Sequence, residues 1–145
     1  PEEVSHIPGK ISKGYNYKGF PYQVMDFPSI FSKEDSFSFR VFCWYGNYFS
    51  ANLLVTGTYV NQWKAKLLKL NSEETFLLMD ADIWESDVND RNKLSFIPEN
   101  KSQIEAFLEK NESIRLFRLF NMQKVNHAEE LIVNTFAEWF NPELA

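Results

Sequence analysis

Residues 37–56 read FSFRVFCWYGNYFSANLLVT, and this stretch decides the fold of the chain. Both halves are rich in β-branched and aromatic residues, which favour strands, and Gly46-Asn47 suits a two-residue turn with positive φ. We therefore predict a β-hairpin from Phe37 to Thr56. Because apolar side chains fall on both of its faces, we expect both faces to be covered. The predicted cross-strand pairs are Tyr45 with Tyr48, Trp44 with Phe49, Phe42 with Ala51 and Phe39 with Leu54.

Hydrophobic periodicity on either side of the hairpin predicts further strands and helices. Strands are predicted at Tyr22 to Phe27, Thr75 to Trp84, Lys93 to Ile97 and Ile114 to Phe120. The pattern of Ile114 to Phe120 also fits a helix, and that of Tyr59 to Leu70, which we interpret as a helix, also fits a strand. Helices are predicted at Tyr59 to Leu70, from a capping box at Ser102 to Lys110, and from an Asn126 cap to Phe140. The fold class is therefore α+β, with an antiparallel or mixed sheet around a central hairpin and about three helices packed on it.

The length of 145 residues fits one globular domain, and no linker or repeat divides the chain. Residues 1–21 have an unusual share of glycine and tyrosine, with Gly9, Gly14 and Gly19 spaced among the rings. We predict an extended lead-in there, with turns at the glycines.

Composition disfavours several classes of function. The net charge is −5 and no run of Lys or Arg occurs, so nucleic acid is not an expected partner. The apolar runs are far shorter than the roughly 20 residues that a membrane span needs, so we expect a soluble protein. Cys43 is the single cysteine, which excludes an intrachain disulfide and favours a cytoplasmic location. No cofactor motif is present.

The aromatic content is the unusual feature of the composition, since 14 Phe, 6 Tyr and 4 Trp make up 17% of the chain. Aromatic side chains build cores, and they also line ligand pockets and interfaces. Our leading hypothesis is a non-catalytic binding domain for a small ligand or a protein partner, with self-association as a homodimer. The candidate binding residues are Tyr15, Tyr17, Trp44, Tyr45 and Tyr48.

The alternative is a divalent-cation-dependent enzyme. Asp80-Ala81-Asp82 follows the apolar run of residues 76–79, and carboxylate oxygens are suitable ligands for hard cations. This tripeptide resembles the Asp-x-Asp motif of nucleotide-sugar glycosyltransferases, and the resemblance implies that Asp80 and Asp82 hold the metal. A triad of Cys43, His127 and an Asp or Asn is a second catalytic alternative that the sequence leaves open.

Overall fold

The computed structural model describes residues 10–31 and 35–141, and the predicted turn at Gly9 lies outside them. In this part of the chain, seven strands form one antiparallel sheet with three α-helices, which confirms the α+β class. The strands are β1 (Lys10–Tyr17), β2 (Phe20–Phe31), β3 (Ser36–Trp44), β4 (Tyr48–Thr56), β5 (Ser72–Leu78), β6 (Lys93–Phe96) and β7 (Ser113–Asn121). The helices are α1 (Thr58–Leu67), α2 (Lys101–Lys110) and α3 (Ala128–Phe140).

The strand order across the sheet is β1-β2-β3-β4-β7-β5-β6. All three helices of the described chain pack on one face, because a single apolar core joins Trp63 of α1, Leu108 of α2 and Trp139 of α3 to Phe37 and Phe39 of β3. We call this face the helix side and the other the open side.

The predicted hairpin forms, but its predicted register is wrong by one residue. Trp44 pairs with Tyr48 and Cys43 with Phe49, and a three-residue turn joins the strands, with Gly46 at φ 84°. A shift of one residue exchanges the two faces of a strand relative to its neighbour. In the observed register, Phe49 lies on the helix side, where it packs in the main core.

Three other strand predictions change in extent. β2 covers Phe20–Phe31 and does not end at Phe27 as predicted. β5 ends at Leu78 rather than at Trp84, because the chain leaves the sheet there to form the loop of residues 79–92. Lys10–Tyr17, predicted as part of an extended lead-in, is extended and also pairs with β2 as the first strand of the sheet. The turn predicted at Gly19 forms between β1 and β2, with Gly19 at φ 92°, whereas the turn predicted at Gly14 is wrong, because Gly14 lies inside β1 and pairs with Tyr22.

Two predicted helix starts are wrong. α2 begins at Lys101 after a 3-10 turn at Pro98–Asn100, and no side-chain cap is formed there. α3 begins at Ala128, because the 3-10 segment Met122–His127 includes the predicted cap Asn126. Both sequences offered a capping residue, but a preceding 3-10 turn displaces the start of the α-helix.

A buried polar network fastens α3 to the sheet. Arg118 of β7 donates to Thr75 of β5 over 2.7 Å and to the Glu138 carboxylate of α3 over 2.9 Å. The indole N–H of Trp139 donates to the same Thr75 hydroxyl over 3.0 Å. The Arg118 guanidinium thus connects β7 to β5 and to α3 by hydrogen bonds.

Candidate functional site

The sheet sorts the predicted binding residues onto two faces. Tyr17, Trp44 and Tyr48 lie on the open side, where Trp44 is cross-strand to Tyr48 and the ring centroids are 5.6 Å apart. Tyr45 follows Trp44 and turns to the helix side, where its hydroxyl donates to Gln23. Gly14 and Tyr17 pair with Tyr22 and Phe20, which share the open face of β2, across an irregularity in β1, so Tyr15 between them is directed to the helix side. The structure therefore divides one predicted site into two.

The open-side aromatics form a packed cluster. The Tyr17 ring lies 5.1 Å from the Trp44 ring, edge to face, and the Trp44 indole N–H donates to the Tyr17 carbonyl over 2.9 Å. Phe42 and Tyr22 complete the cluster. Burial raises the pKa of Tyr48 to about 12, so its phenol is neutral at physiological pH.

The loop of residues 79–92, which we call the acidic loop, lies over this cluster. The Tyr48 hydroxyl accepts the Val88 amide over 3.2 Å and donates to the Asp87 carboxylate over 3.2 Å. The Tyr17 hydroxyl donates to the Glu85 carboxylate. Val88 itself is fully buried. Tyr17 and Tyr48 therefore hold a segment of their own chain at the positions where the sequence predicted ligand contacts.

Arg115 of β7 is the main fastening of the acidic loop, and sequence reasoning missed it. Its side chain is 2% exposed. Nε and Nη2 donate to the Asn52 Oδ1 over 3.1 and 2.6 Å, and Nη1 donates to the carbonyls of Ile83, over 2.9 Å, and Glu85. An arginine among the apolar residues of the predicted strand Ile114 to Phe120 was the available signal.

The guanidinium of Arg115 is buried without an ion pair to any carboxylate in the described part of the chain. Among residues 10–31 and 35–141, no carboxylate lies within ion-pairing distance of it. Burial lowers the pKa of Arg115 to about 10, which expresses the cost of holding this charge away from water.

A second arginine lies on the open side beside the acidic loop. Arg40 makes a two-point contact with the Asp26 carboxylate, at 2.7 and 3.2 Å, and the Ser38 hydroxyl donates to the same carboxylate. The Trp84 ring of the acidic loop lies 5.7 Å from the Arg40 guanidinium. This cation–π contact continues the attachment of the loop to the sheet.

The acidic loop also contains the two aspartates of the enzyme hypothesis. The Asp80 carboxylate accepts from Arg91 Nε over 2.7 Å, and Asp82 Oδ1 accepts the Trp84 amide over 3.0 Å. Within the described residues, no group of three His, Cys, Asp or Glu side chains is arranged to hold a metal. The guanidinium already supplies the positive charge that a cation would bring to Asp80.

The surroundings of Cys43 do not favour its predicted alternative role as the nucleophile of a catalytic triad. The side chain is half-buried at the edge of the main core, and burial raises the pKa of its thiol. A raised pKa keeps the sulfur protonated at neutral pH, which lowers its reactivity as a nucleophile.

The helix side carries an exposed aromatic surface beyond the helices. Lys13 and Gln23 pair there on β1 and β2, and Met25 pairs with Val41. Tyr15 is 88% exposed, Tyr45 43% and Met25 37%. No β1 or β2 residue with a described side chain belongs to the core under the helices. We call the surface formed by Lys13, Tyr15, Gln23, Met25 and Tyr45 the wing surface.

Two cavities lie away from both aromatic surfaces. The larger, about 600 Å³, lies between the start of α1 and the end of α2, and its lining mixes Lys64 and Lys110 with Asp35, Glu109 and Glu112. The smaller, about 440 Å³, lies beside the first turns of α3. Neither lining has the predominantly apolar character usual for small-molecule sites.

No helix in the described part of the chain is long and apolar enough to cross a membrane. Protein-family models, curated proteins and solved structures were each compared with this chain, and none of them matches it.

Proposed function

We propose that this chain is a non-catalytic protein-interaction domain, cytoplasmic in location, that pairs with a second copy of itself through the wing surface. The observation that supports the proposal is the exposure of Tyr15, Met25 and Tyr45 on a sheet face that the described helices leave uncovered. Clustered exposed apolar groups on a domain of this size are typical of interaction sites. Tyr and Met are also enriched in such interfaces.

Charge favours a second copy as the occupant. Lys13 lies at the β1 side of the wing surface, and Glu129 and Glu130 are exposed in the first turn of α3. α3 starts at the same end of the sheet as Tyr45, because β7 ends at Asn121, which pairs with Tyr48. In a two-fold symmetric dimer, the β1 side of one copy faces the α3 side of the other. Lys13 of one copy therefore meets Glu129 and Glu130 of the other.

The surface area that a stable dimer must bury indicates how far the proposed contact extends. At about 200 Å² for a fully exposed ring, Tyr15 and Tyr45 offer roughly 250 Å². A stable interface buries about 800 Å² on each partner. The contact therefore has to extend from β1 across the sheet to α3, which brings Glu129 into it.

The test is the solution mass, measured by size-exclusion chromatography with light scattering over a range of protein concentrations. We expect a dimer, and we expect Tyr15→Ser with Tyr45→Ser to give a monomer. Trp84→Ser is the matched control, since Trp84 is also 43% exposed but lies on the open side. It should leave the mass unchanged.

Charge exchange tests the partner more sharply. Lys13→Glu and Glu129→Lys should each weaken the dimer, and the double variant should restore it, because the double variant re-forms the opposite-charge pair with reversed signs. A wild-type chain that stays monomeric at every concentration would refute the proposal. A dimer that the serine variants leave intact would assign the contact to another surface.

A further inference from the structure

The Arg115 guanidinium is satisfied by neutral groups alone. Its Nη1 donates to two backbone carbonyls of the acidic loop, and its Nε and Nη2 donate to the amide oxygen of Asn52. Guanidinium groups form stronger, two-point hydrogen bonds with carboxylate and phosphate oxygens than with carbonyls. The side chain is thus a buried cation whose best partner is missing among the described residues.

The surroundings of Arg115 are polar in a part of the sheet where an apolar core is usual. Asn52 and Ser50 of β4 are both fully buried on the open side, and the Asn52 amide N–H donates to the Ser50 hydroxyl over 2.9 Å. Tyr48 lies next along the same face of β4. A core needs none of these groups for packing, and burying them costs free energy unless each is hydrogen-bonded.

We propose that Arg115 and Asn52 form a binding site for a small oxyanion, and that residues 83–85 of the acidic loop cover this site in the ligand-free protein. The carbonyls of Ile83 and Glu85 occupy Nη1, and a two-point contact of a carboxylate or phosphate across Nη1 and Nη2 requires that Nη1 be released. Binding requires this segment to lift, so the anion and the loop compete for the same guanidinium. This site lies on the open side and is independent of the wing surface.

Because the anion and the acidic loop compete for Arg115, a change that loosens the loop should strengthen anion binding. Tyr48 holds the loop closed through the Val88 amide. Tyr48→Phe removes that bond and should raise the population of the open state, so it should tighten the apparent affinity for the anion by about tenfold. A variant that weakens the protein while strengthening binding is difficult to explain without a covering loop.

Isothermal titration calorimetry tests the site with inorganic phosphate and, in a second arm, with acetate, in sodium chloride of matched ionic strength. We expect binding of at least one probe, and the stronger arm identifies the ligand class. Bound probe should also speed hydrogen exchange of the Val88 amide, because the loop has lifted. Arg115→Lys, which keeps the charge but loses the two-point geometry, should weaken binding at least tenfold.

Several outcomes would overturn the proposal. These are failure of both probes to bind the wild type, binding that Arg115→Lys leaves unchanged, and binding without faster exchange at Val88. If the Arg115→Lys chain does not fold, the Tyr48→Phe titration decides, and an affinity equal to that of the wild type refutes the covering loop.

Discussion

Replacing Tyr48 by Phe should destabilise the protein in a pH-dependent way. The ring stays, so the aromatic cluster keeps its packing, but the Val88 amide loses its acceptor at 3.2 Å while its residue is fully buried. A buried donor left without a partner costs about 1–3 kcal/mol. We expect the free energy of unfolding to fall by about 2 kcal/mol at neutral pH. Tyr15→Phe, at an 88% exposed position, is the matched control.

The pH dependence follows from the raised pKa of Tyr48. The phenol titrates at about 12 in the folded chain and near 10 when unfolded, so its stabilising effect is complete below pH 10 and is lost between pH 10 and 12. Two pKa units correspond to about 2.7 kcal/mol, which we reduce to about 2 kcal/mol because the half-buried residues Ser86 and Asp87 border the hydroxyl.

Urea unfolding of the wild type and of Tyr48→Phe at a series of pH values measures this effect directly. The difference between the two chains should shrink as pH rises from 10 towards 12, because phenylalanine does not titrate. A difference that stays constant across this range, or that is already absent at neutral pH, would refute the role assigned to the hydroxyl.

Three other changes have defined outcomes. Gly14→Ala places a methyl group against the Tyr22 ring, closer than van der Waals contact, and should cost about 2 kcal/mol in urea unfolding; Tyr22→Leu in the same chain should recover most of it. Glu138→Gln removes the counterion of buried Arg118 and should lower the free energy of unfolding by about 2 kcal/mol, seen as a lower Tm. Mg²⁺ or Mn²⁺ should not raise the Tm through Asp80, since Arg91 occupies that carboxylate; a rise that Asp80→Ala abolishes would restore the enzyme hypothesis.

The sequence predicted the kinds of elements better than their alignment. The composition of residues 37–56 identified two strands and a turn, because β-branched and aromatic side chains are a local signal. It predicted a two-residue turn, which is wrong, because Gly46 with positive φ fits a three-residue turn equally well. That one-residue uncertainty decides which side chain faces the helices, so the register became known only from the whole sheet.

The candidate site shows the same limit. The aromatic surplus grouped Tyr17, Trp44 and Tyr48, which the structure brings together, with Tyr15 and Tyr45, which lie on the other face. The acidic loop was beyond prediction, because its fastenings join residues 30 to 70 positions apart in the chain. Such contacts leave no periodic trace in the local sequence.

Spacing within one strand nevertheless contained information that composition did not. Arg115 and Arg118 are three residues apart, which places them on one side of a helix but on opposite faces of a strand. The pattern of Ile114 to Phe120 fits either a helix or a strand, and the two structures require different surroundings for the arginines. A strand needs a separate polar cover for each guanidinium, and β7 has both: the acidic loop receives Arg115 on the open side, and α3 receives Arg118 on the helix side. Two charged residues at odd spacing in a buried strand therefore predict that the sheet is covered on both faces by different elements.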